Sequence, residues 1–307
     1  MKPIRSFQHI LIIGETHFVG KTLVIQLLNQ YSDIEIWVTE SSVLNEVEDD
    51  LKTRIHLLKI SNKKDFIDAW RVYSWDTVLH LVSKYKDNSI EYKSALHDQK
   101  SLLGGAMLEI VQSTRLEPLY VEIETDWVFE DEVSGITEDA EEVNVLFLEN
   151  YTNRIGIETT NILSKDMQPS HWIFSFIKSL ENKTSFGVPC DAMVLRDWIA
   201  LEDYLEAICV VLAKGDVGNQ YTIVGFNEWT NYDLMLLIGA TYDRLEVREN
   251  GAFKFKLCNE KIGCRKSYEE TKIGLSFLSL DKTFKSKSVY DIVGELIGVP
   301  LSLVTKG

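Results

Sequence analysis

His9-Ile-Leu-Ile-Ile-Gly14-Glu-Thr-His17-Phe18-Val19-Gly20-Lys-Thr-Leu-Val-Ile-Gln-Leu-Leu28 reads as a strand, a tight glycine turn and a helix. Ile10 to Ile13 are a short, mostly β-branched apolar run, the pattern of a strand buried on both faces. Gly14 stands where such a strand has to turn sharply. Beyond it Phe18, Val19, Leu23, Val24, Leu27 and Leu28 recur at helical spacing. A glycine turn feeding a helix N-terminus aims backbone N–H groups and the positive end of the helix dipole at an anion, usually the pyrophosphate of a dinucleotide. The common fingerprint has three glycines; Gly14 and Gly20 are present, and His17 occupies the middle position, where glycine normally lets the phosphate approach. Glu40 lies twenty residues past Gly20, at the end of the next strand, Ile34 to Thr39. An acid there hydrogen-bonds a ribose 2′-hydroxyl, which favours NAD and disfavours the extra phosphate of NADP. The alternative for the same residues is a plain strand–helix turn and a surface glutamate.

Outward from this stretch, strands and helices alternate. Ile55 to Ile60 reads as a third strand, Lys64 to Val72 as a helix, Thr77 to Val82 as a fourth strand, Ser94 to Ser113 as a long helix, and Pro118 to Ile123 as a fifth strand. This alternation implies a parallel sheet with right-handed crossovers. Thr137 to Asn153 reads as a further helix with an acidic first turn, capped by Gly156 and followed by a sixth strand, Ile157 to Leu163. His171 to Leu180 is amphipathic. Beyond Asn182 the rhythm changes: strand-like pieces at Asp197 to Ala200, Gln220 to Val224, Leu245 to Val247 and Phe253 to Leu257 mix with helices near Glu202 to Ala213, Asn231 to Thr241 and Val289 to Leu296. The fold expected is α/β: a Rossmann-like doubly wound parallel sheet over residues 1–182, and a smaller α/β substrate domain over 183–307, interleaved with the first. Ligands of such folds bind at the carboxyl ends of the strands.

The 307 residues carry 32 Lys and Arg against 47 Asp and Glu, a formal net charge of −15. That balance argues against nucleic acid or an anionic membrane as partner, while leaving room for a phosphate held by a local arginine or helix end. Cys190, Cys209, Cys258 and Cys264 form no Cys-x-x-Cys pair, so buried free thiols are expected and no metal site. Met1 leads into a strand without a signal peptide, and no apolar run reaches membrane-spanning length, which reads as cytoplasmic.

Several segments together resemble one family, the extended short-chain dehydrogenase/reductases, NAD-dependent epimerases and dehydratases of nucleotide sugars. Ile13-Gly-Glu-Thr-His-Phe-Val-Gly20 looks like their Thr-Gly-Ala-Thr-Gly-Phe-Ile-Gly turn. Val78-Leu-His-Leu-Val-Ser83 is similar to their Val-Ile-His-Leu-Ala-Ala strand. Glu124-Thr-Asp-Trp-Val-Phe129 resembles the Ser-Thr-Asp-Tyr-Val-Phe of the dehydrorhamnose reductase branch. Arg196-Asp-Trp-Ile-Ala-Leu-Glu-Asp203 is similar to the Arg-Asp-Phe-Ile-Tyr-Val-Asp-Asp that opens the substrate domain. These segments span nearly the whole chain in the family's order. The resemblance implies that Gly14, Phe18, Val19, Gly20 and Glu40 hold NAD, that Thr125 orients a substrate oxygen, and that Arg196 reaches a nucleotide-sugar pyrophosphate. It also implies a homodimer through the helix that carries the catalytic pair.

That pair is a tyrosine and, four residues on, a lysine; on a helix both face one side, and the ammonium lowers the phenol's pKa so that phenolate takes the proton. Here the pair is missing at the positions that align with the family's motif. The family's Tyr-Gly-x-Ser-Lys-x-x-x-Glu aligns with Ser134-Gly-Ile-Thr-Glu138-Asp-Ala-Glu-Glu142, and a second alignment puts Asn150 and Arg154 at the two positions, turning the following strand into helix. Tyr151 is followed four residues later by Ile155. The acid that commonly follows the third strand is replaced by Lys59-Ile-Ser-Asn62. Structural alternatives stand beside each candidate: Thr125 as a strand-end hydroxyl bonded to backbone, Arg196 in a surface arrangement with Asp197 or Glu202, His80 in sheet packing, and the acids from Glu130 to Glu142 as a solvated helix start whose spacing matches no metal loop. Two functions remain open: a nucleotide-sugar oxidoreductase, epimerase or dehydratase with a divergent site, or a non-catalytic relative that binds a dinucleotide or sugar nucleotide or serves as a regulatory partner.

Overall fold

The structure, a computed structural model, describes residues 5, 7–14, 18–39, 41–45, 47–83, 90–126, 146–167, 171–188, 192–246, 255–257 and 287–298. The chain divides into two compact units: 1–159 with 205–222 and 276–278, and 160–204 with 223–275 and 279–307.

The first unit is built on a seven-stranded sheet. Its strands are β1 (His9–Ile13), β2 (Glu35–Val38), β3 (Ile55–Leu57), β4 (Thr77–Ser83), β5 (Leu119–Asp126), β6 (Arg154–Thr159) and the strand Gln220–Ile223. From one edge the order is Gln220–Ile223, β6, β5, β4, β1, β2, β3, and the pairs from β6 to β3 are all parallel. Strand order therefore reverses between β1 and β4, which opens a crevice at their carboxyl ends. Ile10, Leu11 and Ile12 are fully buried, as a strand covered on both faces demands. Helix α1 (Phe18–Gln30) lays Val19, Leu23, Val24 and Leu27 against the sheet, each fully buried and each stabilising by roughly 1.5–3 kcal/mol. The Arg54 guanidinium closes the far end of α1, donating to the carbonyls of Leu28 at 2.6 Å and Tyr31 at 2.7 Å. The other face of the sheet is covered by α3 (Lys63–Tyr73), which follows the single-turn α2 (Asp49–Lys52), and by α4 (Ile90–Thr114). Phe66, Trp70 and Trp75 meet there, with ring centroids 5.5 Å apart for Phe66–Trp75 and Trp70–Trp75. Cys209 is buried and burial pushes its thiol up to about 12, the inert state expected of it; the other three cysteines lie outside the described residues.

The second unit holds a three-stranded sheet in the order Glu228–Thr230, Leu195–Ala200, Asn161–Leu163, and a parallel pair of Phe186–Val188 with Phe255–Leu257. Helices Trp172–Glu181, Asn231–Glu246 and Val289–Ile297 belong to it. Its hub is Asp197, fully buried, whose carboxylate accepts the N–H groups of Gly225 and Asn227, both at 2.6 Å. A Cβ on Gly225 would lie 2.0 Å from the Trp198 carbonyl oxygen, so only glycine fits this close approach. The Asn227 amide donates to the carbonyls of Trp198 (3.1 Å), Gly225 (3.1 Å) and Lys287 (3.0 Å) and accepts from Val289 N–H (3.1 Å). Asn227→Ala would strand several of these groups, and is expected to destabilise the protein by about 1–3 kcal/mol in a urea melt. A midpoint unchanged from wild type would show that the hub is dispensable.

Three readings of the sequence need correction. The run Ile157 to Leu163 is not one strand: β6 ends at Thr159 in the large sheet, and Asn161–Leu163 pairs with Leu195–Ala200 in the small one. The Asn161 amide donates to the Asp197 carbonyl at 3.0 Å across that new pairing. Gly156 is not a helix cap but lies inside β6 opposite Glu122. Leu245 belongs to the helix Asn231–Glu246, which overrides the apolar alternation read as a strand; Val247 lies outside the described residues. Of the expected helix at Thr137 to Asn153, residues 146–149 are helical, 150–153 are not, and the remainder lies outside the described residues.

Candidate functional site

The parallel register brings the carboxyl ends of β1, β4 and β5 to one edge of the sheet, so Gly14, Ser83 and Thr125 share that edge. Gly14 turns there with φ +86°, a left-handed conformation that L side chains avoid. A Cβ at Gly14 would lie 2.3 Å from the Leu81 carbonyl oxygen of the neighbouring strand. Position 14 is thus closed to any residue with a side chain, and α1 starts four residues later at Phe18. Val19 and Gly20 are buried in its first turn and Phe18 is half-buried. The strand, the glycine and the helix read from the sequence are therefore present, while residues 15–17 between them lie outside the described residues. His17 and Glu40 lie outside the described residues; β2 ends at Val38, two residues before Glu40. Thr125 is the penultimate residue of β5.

One arrangement here escaped the sequence. Below the edge, Tyr120 and Glu122 of β5, His80 of β4, Gln99 and Lys100 of α4 and Arg154 of β6 form a polar network. The Lys100 ammonium donates to Glu122 at 2.9 Å, and Arg154 stands 3.6 Å from the other oxygen of that carboxylate. The Tyr120 hydroxyl donates to Glu122 at 3.1 Å and meets His80 Nδ1 at 2.9 Å, while His80 Nε2 lies 3.3 Å from Gln99. Burial by itself would raise the Glu122 carboxyl, but Lys100, His80 and Arg154 outweigh it and hold it at about 2. His80, wholly buried, is pushed below its ordinary value by desolvation, so it sits neutral at pH 7.

A tyrosine and a lysine thus converge on one carboxylate, but their electrostatics are opposite to those of a catalytic pair. Burial, reinforced by the Glu122 charge, pushes the Tyr120 phenol well above its ordinary value, and Lys100 is paired with Glu122. A phenol so placed stays protonated and cannot act as a base near neutral pH. The network fastens α4 to the sheet instead. His80 takes the packing role read for it. The only cue in the sequence was a glutamate inside the apolar run Leu119-Tyr-Val-Glu-Ile123.

The alignment that puts Asn150 and Arg154 at the catalytic positions is excluded on geometry, because Arg154 opens β6 and is not on a helix. Ser134 and Glu138 lie outside the described residues. Tyr151 is buried with its hydroxyl donating to the Pro118 carbonyl at 2.9 Å, and burial raises its pKa, which suits packing. In the second unit Arg196 is only 3% exposed, which corrects the surface arrangement weighed for it. It lies in the strand Leu195–Ala200 directly opposite Trp229. No cluster of His, Cys, Asp and Glu able to hold a metal ion occurs among the described residues, and none of their helices is long and apolar enough to cross a membrane.

This geometry defines a Rossmann-like α/β fold. Residues 10–152, somewhat less than half of the chain, match the model of the NAD dependent epimerase/dehydratase family. It is 34% identical over 106 residues to a dTDP-glucose 4,6-dehydratase of Xanthomonas campestris, a match that takes in 33% of this chain but only 30% of that protein. A dTDP-glucose 4,6-dehydratase of Haemophilus influenzae is 23% identical over 283 residues, which covers 80% of this chain and 83% of that one. The fold is similar to the crystal structure of dTDP-glucose 4,6-dehydratase from Bacillus anthracis in complex with NAD, with a TM-score of 0.68, 16% identity, and coverage of 95% and 96%.

Proposed function

We propose that this protein binds NAD and a nucleotide sugar, and that it turns over its substrate weakly or not at all because the tyrosine and lysine are missing from the positions that align with the family's motif. The observation that carries the reading is the Gly14 turn, left-handed, flush against Leu81 and set at the strand-order reversal of a family-matched domain. Only glycine lets β1 and β4 stay together at this edge, just ahead of the α1 N-terminus that would meet a pyrophosphate. Gly14, Phe18, Val19 and Gly20 would hold the phosphates and Glu40 the adenosine ribose. Bound NAD would supply a hydride acceptor. Thr125, at the edge of β5, would orient a substrate oxygen, directly or through a water. Support for a nucleotide sugar comes from the relatives' names and from the Arg196 segment. Loss of a positioned acid–base group removes roughly 10²–10⁴-fold in rate.

Calorimetric titration with NAD, followed by a turnover assay on dTDP-glucose and UDP-glucose, tests this. Saturable NAD binding with turnover at or below the uncatalysed background, unchanged in Thr125→Ala, is the expected result. Robust turnover lost in Thr125→Ala would instead establish a divergent enzyme. Failure to bind NAD at millimolar concentration would sink the reading.

A further inference from the structure

Register in the large sheet sets Ile13, His80, Glu122 and Gly156 side by side on β1, β4, β5 and β6. This row lies one residue below the place where Gly14 abuts the Leu81 carbonyl. Two of its side chains reach the same helix. His80 Nε2 lies 3.3 Å from the Gln99 side chain, and Glu122 takes the Lys100 ammonium at 2.9 Å. Consecutive residues of α4 therefore hold β4 and β5 at one level, directly beneath the Gly14 turn. Tyr120 ties the two strands together there, 2.9 Å from His80 Nδ1 and 3.1 Å from Glu122, and all three residues are buried. The turn above has no slack, because a Cβ at Gly14 would already lie 2.3 Å from backbone of β4. A small slip of β4 against β1 thus alters the turn itself, since packed elements pass on a shift rather than absorb it.

We infer that Lys100 is a positioning residue for the cofactor edge: through Glu122 it keeps β5, and with it β4, in the register that the phosphate turn needs. The inference rests on the NAD reading above and deepens it, making cofactor affinity depend on an ion pair inside the domain. In this role Lys100 acts through Glu122 and the strands, not by touching NAD. Gln99 contributes in the same way through His80.

Calorimetric titration of the full chain with NAD, at a temperature where circular dichroism shows each variant folded, tests this. Lys100→Met should weaken NAD by roughly 2- to 30-fold, the span of a changed coupling through a packed network. Lys100→Arg, which keeps the charge, should restore most of the loss. Gln99→Ala, which strands no charge, should weaken NAD in the same direction by less, and it decides alone if Lys100→Met does not fold. Asn227→Ala, destabilising but in the second unit, should bind NAD as wild type does. Equal NAD affinity in wild type, Lys100→Met and Gln99→Ala would overturn the inference while leaving the NAD reading intact. So would an equal loss in Asn227→Ala, which would trace the effect to stability alone. Wild-type protein that fails to bind NAD at millimolar concentration would overturn both.

Discussion

Glu122→Gln is expected to destabilise the first unit by roughly 3–5 kcal/mol. The carboxylate is 9% exposed and neutralises Lys100 and Arg154, whose side chains are only 18% and 22% exposed. An amide keeps the shape but leaves those cations without a counter-charge, and a buried unpaired charge costs far more than a missing hydrogen bond. The same residue sets an acid limb. Its folded pKa is depressed from 4.5 to about 2, so the unfolded chain binds the proton more tightly. The stability it contributes is complete above the unfolded value and is lost as pH falls toward 2, roughly 3 kcal/mol in all. His80 adds in the same direction. Its folded pKa lies below 6.5, so stability begins to decline once pH drops past that value and the unfolded imidazole takes up a proton. Calorimetric melting from pH 7 to pH 3 should show both limbs in wild type, and the lower one flattened in Glu122→Gln. A variant that melts like wild type at pH 7 would refute the clamp.

Gly14→Ala is expected to abolish NAD binding and to destabilise the fold by about 2–6 kcal/mol, combining left-handed strain with overpacking. The new methyl would sit 2.3 Å from the Leu81 carbonyl oxygen, which is backbone and cannot rotate away. Relief requires β1 and β4 to part, at the place where the phosphate must approach. Guanidinium unfolding together with NAD calorimetry reads both effects. An alanine variant that binds NAD normally would remove the turn from the cofactor site.

Local patterns were enough where one element decides its own state. The β-branched run Ile10 to Ile13, the glycine after it and the apolar spacing of α1 gave the organising strand, turn and helix, because burial on both faces leaves a period visible in a short window. Alternation of strands and helices gave the parallel sheet for the same reason. Patterns failed where a neighbour decides. Ile157 to Leu163 looks uniform, yet it divides between two sheets because Asn161–Leu163 finds its partner at Leu195–Ala200, more than thirty residues away. Gly156 looked like a stop signal and is instead a strand position facing Gln220, whose side chain would meet a Cβ at 3.2 Å.

By itself the amino-acid order determined the strand, glycine and helix around Gly14 and the α/β class, since each is written in local patterns. Tertiary structure alone decided that Lys100, Glu122 and Arg154, from a helix and two strands, meet in one buried cluster, and that Trp229 faces Arg196. Charge pairing and cross-strand register depend on which elements pack together, and no short window of sequence carries that information.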